Sequence, residues 1–525
     1  MVTTPGRSTH GDIATMLADM RGVVVSFTGY LKRKTRALQC PLGLPTKGTL
    51  YTHANNVGNL VQAVHERVMG RIAAGGWEPT LQPLAGAFSC ASLQRFRRRL
   101  SRLLPRHSRR VSNGQFVEHY TGQKRRRYES AVASLARKPL CRADAYPGVF
   151  LKAEKWKEVK AGRVISARSP RYNVELGRYL LPLERRVYQA IGEVFGAPTI
   201  MKGLTPEARA SVLAEHWAEF DRPVAVGQDF SKFDQHISTQ ALNYEHGVYL
   251  GAYENDRWLQ MLLGWQLQNR CYADVSDGKV KYRTEGGRMS GDMNTAMGNC
   301  IISAALLWAY CHEKGIRVRA IVDGDDSVAI MEAGDLASYL DGIEGWMAEK
   351  GFRLVTEAPV YELHDVEFCQ CRYVASVPPT MVRNPVKAIT QDHAWVVDRS
   401  ITHEEVLAAT GLGGLSLYGN MPVLGSYYAM LARTTKVSEK TLSRLSFQSS
   451  WLRDAALKGG THVVPSEATR LAFYQSWGIT PGEQRQLEAH FDGLRLAASF
   501  AADSNKINNE NYQEYRSYYT ICTTD

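Results

Sequence analysis

Ile321-Val322-Asp323-Gly324-Asp325-Asp326-Ser327-Val328-Ala329-Ile330 is the segment of this chain whose structure can be inferred most directly. Apolar residues alternate with mostly polar ones on either side of an Asp-Gly pair, which is typical of two strands joined by a tight turn. Two carboxylates, Asp325 and Asp326, stand at the tip. Adjacent acids after an apolar strand repel each other unless a cation neutralises them. The segment therefore predicts either an ordinary exposed turn or a hairpin that presents carboxylates to a divalent metal.

Length and composition indicate a folded, basic protein with more than one lobe. The chain has 525 residues, of which 44% are hydrophobic and 22% charged, and its net charge is +12. Such a charge favours a polyanionic partner. Nine cysteines without a CxxC pair or a secretory N-terminus favour reduced thiols and argue against a zinc site. The longest apolar run, 300–311, is about half as long as a membrane span, so we expect no transmembrane segment.

Residues 91–128 form a basic segment with interleaved aromatic residues. They contain twelve Arg or Lys against one acid, Glu118. Guanidinium groups bind phosphates and aromatic faces stack on unpaired bases, so the composition suits a path for single-stranded nucleic acid. A solvated helix face is the alternative. The candidate nucleic-acid contacts here are Tyr120, Arg125, Arg126 and Arg127.

Lysines and arginines also recur through residues 151–186, which include a predicted strand over 163–168. Positive charges spaced along an extended segment can line an entry tunnel for triphosphates. A solvated basic surface is the alternative.

Two further segments carry polar groups that suit a reaction site. Val224 and Val226 predict a short strand that ends at Asp229, with Asp234 on the following turn, although each acid could instead be a cap or a surface residue. A Gly-rich loop from 286 runs into an apolar helix. Its neutral hydrogen-bonding side chains suit a sugar hydroxyl or a template backbone, and helix capping with polar packing is the alternative.

The remaining segments predict a helix over 336–350, a strand over 351–356 and a tight strand pair over 366–373. From residue 400 onward the pattern is helical, with Gly411–Leu415 predicted as a loop and a polar tail beyond 502.

The order of these segments resembles the viral RNA-dependent RNA polymerases, most closely the tombusvirus-type branch of positive-strand RNA viruses. The resemblance covers roughly residues 110–400. Asp229–Asp234 looks like motif A, Ser290–Asn299 like motif B, Gly324–Asp326 like motif C and Phe368–Gln370 like motif E. Motif F looks like Lys152–Lys155, Arg163–Ile165 and Arg168–Tyr179, and Phe116–Tyr128 lies where motif G would be.

The resemblance implies an α+β right-hand polymerase of fingers, palm and thumb, with an antiparallel palm sheet flanked by helices. An N-terminal extension and fingers would occupy 1–221, with motif F at about 151–186. The palm would occupy 222–398, with a fingers insertion at about 247–285. The thumb and C-terminal tail would occupy 399–525.

The resemblance also implies roles for individual residues. Asp229 and Asp325 would hold two divalent metals, Mg²⁺ by default with Mn²⁺ as a substitute, and Asp326 would assist them as a metal ligand or outer-shell acid. Gly324 would be small enough to let the primer end approach. Ribose selection would belong to Asp234, Ser290, Thr295 and Asn299. Contacts to the triphosphate would belong to Lys152, Lys155, Arg163 and Arg168, and Gly291 joins the candidate RNA contacts.

The implied activity is RNA-templated RNA synthesis from NTPs, replicating a positive-strand RNA virus genome. The expected partners are template RNA, nascent RNA, NTPs and other viral replication proteins, in the host cell cytoplasm at membrane-associated replication complexes. The family often places a general-acid lysine in motif D. The matching strand here has none, and Lys350, Arg353 and His364 are merely nearby, so that role stays unassigned.

Two other functions are possible on the sequence alone. A reverse transcriptase usually has a bulky aromatic residue before the paired acids, where this chain has Gly324. A non-catalytic RNA-binding or capsid protein would be expected to lose some of the acids and of the Ser/Thr/Asn set, which is complete here.

Overall fold

The computed structural model describes residues 10–28, 36–39, 44–45, 50–158, 160–398, 401–438, 441–442, 450–496 and 521–524. Most of the polar tail predicted beyond 502 lies outside the described residues.

Helices and strands alternate irregularly along the described chain. The helices are α1 (His10–Asp19), α2 (Val57–Val64), α3 (Ala91–Leu103), α4 (Asn113–Glu118), α5 (Gly122–Arg137), α6 (Pro170–Leu180), α7 (Glu184–Phe195), α8 (Pro206–Trp217), α9 (Phe233–His236), α10 (Thr239–Ala252), α11 (Arg257–Gly264), α12 (Thr295–Lys314), α13 (Leu336–Leu340), α14 (Ile343–Glu349), α15 (Pro385–Gln391), α16 (His403–Tyr418), α17 (Leu424–Ala432), α18 (Ser450–Lys458), α19 (Glu467–Trp477) and α20 (Pro481–Gly493). The strands are β1 (Val24–Phe27), β2 (Arg36–Gln39), β3 (Leu50–His53), β4 (Gly70–Ala73), β5 (Gly76–Pro79), β6 (Gly148–Leu151), β7 (Lys155–Trp156), β8 (Val164–Ala167), β9 (Pro223–Phe230), β10 (Gln268–Asp274), β11 (Gly278–Glu285), β12 (Val318–Asp323), β13 (Asp326–Glu332), β14 (Leu354–Thr356), β15 (Glu367–Phe368), β16 (Cys371–Val374), β17 (Thr380–Arg383), β18 (Trp395–Asp398) and β19 (Ile521–Thr524).

The predicted hairpin forms the edge of a four-stranded antiparallel sheet with the order β12-β13-β9-β14. Alternate residues of its strands enter two different hydrophobic clusters. Val322, Ala329 and Val226 pack in the cluster that contains α12. Ile330 and Ala225 pack on the opposite face, in a cluster with residues of α8. Because both faces are covered, the sheet holds the hairpin tip in a fixed position.

A second sheet, with the order β1-β11-β10-β6-β8, joins strands that are far apart in the chain. Its inner face packs on α2, where Leu60 and Val61 share a cluster with Val280 of β11. At its edge, Ser166 of β8 accepts a hydrogen bond from the Gly291 N–H at 2.9 Å. This bond places the sheet against the loop that precedes α12.

Helix α12 is apolar on every side and is buried from Met297 to Cys311. A helix that is apolar all round belongs in the interior of a large protein, and α12 packs against α3, α7, α10 and the hairpin strand β12. None of the helices in the described ranges combines the length and apolar character that a membrane crossing requires.

The structure corrects two details of the sequence analysis. Gly411–Leu415, predicted as a loop, lies inside α16. A Cβ at Gly411 would collide with the backbone of Ala432 in α17, so glycine lets these two helices pack closely rather than ending a helix. The predicted helix over 336–350 is divided into α13 and α14 at Gly342, which has φ of 85°.

The mixed helix and sheet content and the antiparallel sheets agree with the predicted α+β class. The division into three domains stays a prediction.

We expect Phe352→Ala to destabilise the fold by about 3–5 kcal/mol, because it removes a fully buried ring. Phe352 packs at centroid distances of 5.0 Å from Phe233 and 5.9 Å from Phe230, on either side of the predicted motif A turn. Val355→Ala is the matched control, since Val355 is 57% exposed on the adjoining strand β14 and should cost less than about 1 kcal/mol. Urea unfolding followed by circular dichroism measures both. Equal midpoints for the two variants would contradict the packing described.

Candidate active site

The tip of the β12–β13 hairpin lies beside the end of β9. Gly324 turns the chain with φ of 80°, a conformation that glycine adopts without strain. Strand β13 runs antiparallel to β9, with Ser327 opposite Gln228. Continuation of this register places Asp229 level with Asp326, so carboxylates from two distant segments meet at one edge of the sheet.

Burial and neighbouring carboxylates raise the pKa of both tip acids. The side chains of Asp325 and Asp326 reach solvent, yet the surrounding atoms partly desolvate them, and this burial is the main cause that raises the pKa of each. Asp229 adds to the rise at Asp325, and Asp325 adds to the rise at Asp326. Burial likewise raises the pKa of Glu357, with Asp229 and Asp326 contributing. Such crowding of like charges favours a bound cation.

Nearby cations offset part of this negative charge. Asp323, two residues before the tip acid Asp325, pairs with Lys202 and with Arg209, whose Nη2 lies 2.7 Å from Oδ2. The charges of Lys202 and Arg163 oppose the rise in the pKa of Asp325. The sequence analysis gave no role to Lys202 or Arg209, because each stands alone in the chain and reaches the hairpin only in the fold.

Asp229, Asp325 and Asp326 carry the hard oxygen ligands that Mg²⁺ and Mn²⁺ prefer. Over the part of the chain that the structure describes, no three His, Cys, Asp or Glu side chains form a ready-made metal cluster. Magnesium is commonly bound through one or two carboxylates and completes its coordination with water and substrate phosphates. The aspartates therefore fit an open site that binds a metal together with a phosphate ligand.

A cavity of about 1040 Å³, called the chamber below, opens in front of the tip. Its volume is sufficient for a nucleotide. Its predicted site residues come from four separate parts of the chain. The predicted site residues that line it are Asp229, Asp325, Asp234, Ser290, Lys152 and Arg163.

Lys152 and Arg163 share one acid at the chamber wall. Lys152 Nζ lies 3.2 Å from Glu154 Oε2, and Arg163 Nε lies 3.5 Å from Glu154 Oε1. Their side chains are 46% and 56% exposed. Pairs this exposed are weak, so both cations are available to an anionic ligand in the chamber.

Arg168 does not belong with these two cations, which corrects the prediction that it contacts phosphate. Its side chain is fully buried and pairs with Asp292, and it donates to Asn269 Oδ1 at 2.8 Å and to the Ala145 carbonyl. A guanidinium that is already satisfied by buried partners has no donor to offer a ligand. Arg168 instead anchors the loop that carries Asp292.

The prediction that Lys155 contacts the triphosphate is also corrected. Its Nζ donates to the carbonyls of Gln391 and Ala394, the latter at 2.6 Å. It lines a second cavity of about 1040 Å³, together with Arg209 and Cys369. Lys155 therefore ties β7 to the segment between α15 and β18, and a triphosphate in the chamber would not meet it.

Three of the predicted residues hold the loop before α12, and two of them, Ser290 and Gly291, contact strand β8. Ser290 Oγ accepts from the Ser166 N–H at 2.9 Å while its residue lines the chamber. Thr295 Oγ1 donates to the Met289 carbonyl at 2.8 Å, which makes it a loop contact rather than a chamber group. A Cβ on Gly291 would lie 2.7 Å from Ala167 Cα. Gly291 is thus needed for close packing, and its contact with RNA stays a prediction.

Asp234 and Asn299 form the hydrogen-bonded pair that the sequence analysis placed together. Asn299 Nδ2 donates to Asp234 Oδ1 at 2.8 Å. Burial raises the pKa of Asp234, and the Asn299 amide and the charge of Arg288 oppose the rise. A carboxylate placed in this way can accept a hydrogen bond from a hydroxyl in the chamber.

The candidate RNA contacts in the basic segment divide into two groups. Tyr120 is half-buried, and the centroid of its ring lies 4.8 Å from that of Tyr128. Lys124 Nζ lies 4.5 Å from the centroid of the Tyr120 ring. Tyr120 therefore packs at the corner between α4 and α5, and its contact with RNA stays a prediction. Arg125, Arg126 and Arg127 are among the exposed residues of α5.

The sequence analysis gave no individual role to Arg288 or Cys369. Arg288 Nε donates to Asn299 Oδ1 at 3.0 Å, and the Cys369 thiol is hydrogen-bonded to Asp326. Cys369 lies inside the segment that resembles motif E, and Arg288 lies in the Gly-rich loop just before the segment that resembles motif B, so their positions are the signal that could have identified them. Of the motif D candidates, Lys350 Nζ packs 4.5 Å from the Trp346 ring centroid. Arg353 lies 3.4 Å from Glu78. The general-acid role remains unassigned.

Comparison with known proteins identifies similar sequences. The sequence model of a family described as viral RNA dependent RNA polymerase matches residues 24–499. Similar proteins named RNA-directed RNA polymerase come from Melon necrotic spot virus (40% identical over 483 residues, covering 90% of this chain and 61% of the relative) and Oat chlorotic stunt virus (38% over 473 residues, covering 85% and 62%). The protein of the same name from Carnation mottle virus is 36% identical over 504 residues, covering 93% and 65%. The chain spans about three fifths of the length of these curated relatives.

We expect Mg²⁺ to raise the thermal midpoint of the protein above its value in EDTA, because the cation relieves repulsion among the tip acids. A free Mg²⁺ concentration ten times the dissociation constant adds about 1.4 kcal/mol to the free energy of unfolding. Asp325→Asn should remove most of this shift. Asp341→Asn is the control, since Asp341 is 84% exposed and pairs with Lys314 outside the chamber, and it should keep the full shift. A full shift in Asp325→Asn would place the cation elsewhere. Differential scanning fluorimetry provides the measurement.

Proposed function

The chain belongs to the family of viral RNA-dependent RNA polymerases, and we propose on that premise that it catalyses RNA-templated synthesis of RNA from nucleoside triphosphates. The observation that supports this most strongly is the composition of the chamber. The chamber is lined by Asp229 and Asp325, by Asp234, which accepts a hydrogen bond from Asn299, and by the cations Lys152 and Arg163. These are the groups that a metal, a ribose and a triphosphate require, in one cavity of suitable volume.

We propose that the chain adopts the right-hand architecture, with the sheet β12-β13-β9-β14 as the core of the palm. The strands β10 and β11, from the predicted fingers insertion at 247–285, pair with β6 and β1, which come from the first 221 residues, and β8 joins the same sheet through β6. This pairing supports one fingers unit built from two separate parts of the chain. The thumb at 399–525 is supported only by the helical content of its described part.

The carboxylates Asp229 and Asp325 would hold divalent cations, Mg²⁺ by default and Mn²⁺ as a substitute, with Asp326 as an auxiliary acid. When bound, the metal would lower the pKa of the attacking 3′-hydroxyl and neutralise charge on the triphosphate and leaving pyrophosphate. The contribution of the protein is positional. Strands β9 and β13 fix the acids, and the Lys202–Asp323 pair beside them limits the local negative charge.

Lys152 and Arg163 would bind the incoming triphosphate. Both are held by Glu154 in weak, exposed pairs, so phosphate oxygens can replace that carboxylate at little cost. Arg163 also lowers the pKa of Asp325 through its charge. It therefore lies where it can reach both the phosphates and the metal-binding acids.

The Asp234–Asn299 pair would recognise the ribose. A 2′-hydroxyl can donate to the Asp234 carboxylate, whereas a deoxyribose leaves that buried acceptor without a partner. Ser290, in the same wall, is the remaining candidate for this role.

We expect Asp229→Ala and Asp325→Ala to lower nucleotidyl transfer by at least about a thousandfold, because each removes a carboxylate that would hold the metal. RNA affinity should change little, since neither residue lies in the basic segment. Primer extension or de novo synthesis measures the first effect, and fluorescence anisotropy with labelled RNA measures the second.

The matched control for these two variants is Asp341→Ala, which removes an exposed acid outside the chamber and should retain activity. Near-native turnover in either chamber variant would disprove the assignment of the metal site.

The exposed arginines of α5 should contribute to RNA affinity mainly through phosphate contacts. We expect the triple substitution of Arg125, Arg126 and Arg127 by Gln to weaken RNA binding and to flatten the plot of log Kd against log salt by up to about 2 units, at about 0.7 per lost contact. Anisotropy titrations at several salt concentrations measure the slope.

The control variant removes the same charge from other exposed sites and should leave the slope unchanged. It replaces Arg222, Arg317 and Arg485 by Gln, whose side chains are 80%, 60% and 50% exposed. If both triple variants flatten the slope equally, net charge rather than α5 governs binding.

A further inference from the structure

We propose that Arg288 and Glu245 form a positioning pair that sets the discrimination between ribose and deoxyribose, by fixing the orientation of the Asn299 amide. The inference rests on the proposed function, since it concerns how that chamber reads its substrate. Neither residue touches the substrate. Their effect reaches the chamber through Asn299 and Asp234.

The Asn299 side chain has two ends that differ in chemistry and hardly in shape. Its NH₂ group donates to Asp234 Oδ1 at 2.8 Å, and its carbonyl oxygen accepts from Arg288 Nε at 3.0 Å. A guanidinium is a donor only, so it can face the oxygen of the amide and never the nitrogen. Arg288 thereby excludes the flipped amide, in which a carbonyl oxygen would face the Asp234 carboxylate.

This orientation determines what Asp234 can bind. Its Oδ1 is occupied by Asn299, and among the described residues none donates to Oδ2. The free oxygen is the acceptor that a 2′-hydroxyl in the chamber can use. If the amide rotates, Asp234 loses its donor and shifts towards other partners, and the acceptor no longer has one defined position.

Arg288 is itself held by Glu245 of α10. Both side chains are fully buried, and the guanidinium pairs with the carboxylate through Nη2. Glu245 Oε1 also accepts from Tyr249 at 2.7 Å and from Asn294 at 2.6 Å. A buried charge pair with further hydrogen bonds has one geometry, because any other leaves a charge unsatisfied.

Close packing and a backbone hydrogen bond also hold the Arg288–Glu245 pair in one position. A Cβ at Gly298, on the first turn of α12, would collide with Glu245 Oε1 and Arg288 Nη2. In addition, the Arg288 N–H donates to the Asp234 carbonyl at 2.8 Å. Arg288 therefore touches both members of the ribose-binding pair, one through its backbone and the other through its side chain.

The experiment compares NTP with 2′-dNTP incorporation, as the ratio of kcat/KM values, for the full chain on an RNA template. Arg288→Lys keeps a positive charge for Glu245 but lacks the Nε donor to Asn299. We expect it to lower the ribose preference by about tenfold to a hundredfold, the effect of losing a well-placed hydrogen bond to a charged group. Glu245→Gln, which removes the countercharge that holds Arg288, should lower it in the same direction and keeps the test valid if the lysine variant folds poorly.

Arg168→Lys is the matched control. Arg168 is likewise a fully buried arginine, it pairs with Asp292 of the loop that also carries Arg288, and its bonds described above reach neither Asp234 nor Asn299. This variant should cost comparable stability and leave the ribose preference unchanged. Equal losses of preference in the two lysine variants would overturn the proposal, since loosening of the loop would then be sufficient.

A double variant tests the route of the effect. Asn299→Ala alone should lower the ribose preference, and adding Arg288→Lys should lower it no further, because Arg288 acts through the amide. A further drop of the same size would show that Arg288 acts independently, which would also overturn the proposal.

Failure of this inference is distinct from failure of the proposed function. If the unaltered protein incorporates neither NTP nor 2′-dNTP, the proposed function is wrong. If it incorporates NTPs with a clear ribose preference and Arg288→Lys lowers the rate without changing that preference, the polymerase assignment stands and the positioning pair is disproved.

Discussion

Crowding of carboxylates at one edge of a four-stranded sheet is the constraint on which the rest of this structure depends. Asp229 and the Asp325–Asp326 tip meet because β9 and β13 pair in antiparallel register, and burial and mutual repulsion raise the pKa of both tip acids. Such an arrangement persists only if the backbone holds the acids rigidly and cations lie nearby. Packing on both faces of the sheet provides the rigidity, and Lys202 provides part of the positive charge.

The loop before α12, which carries Ser290 of the chamber lining, is rigid for a different reason. Two fully buried arginines, Arg168 and Arg288, each pair with a buried acid in the fold around the loop before α12. Buried ion pairs add little net stability compared with apolar packing, but breaking one costs several kcal/mol because a charge is left unsatisfied. Their value lies in specifying one geometry. Glycines at 291 and 298 allow this polar wall to pack closely, since a Cβ at either would meet β8 or the Arg288–Glu245 pair.

The chamber thus combines a repulsive edge that favours a cation with a rigid wall that favours one sugar geometry. The cations between them, Lys152 and Arg163, are exposed and weakly paired. This contrast suits a site that must bind a nucleotide, act on it and release the product. Groups that recognise shape are held firmly, and groups that recognise charge remain free to exchange partners.

The sequence by itself determined the local elements and their chemistry. Alternation around Gly324 predicted the hairpin, and the segments ending at Asp229 and starting at Ser290 were recognised by residue type and order. It could not determine which basic residues face the chamber. Arg168 and Lys155 carry the same charge as Arg163, yet neither faces the chamber. Arg168 pairs with Asp292, and Lys155 donates to backbone carbonyls more than two hundred residues away. Nor could it show that Arg288 holds Asn299. Long-range contacts of this kind depend on how distant segments pack, and only the tertiary structure decides which partner each charge meets.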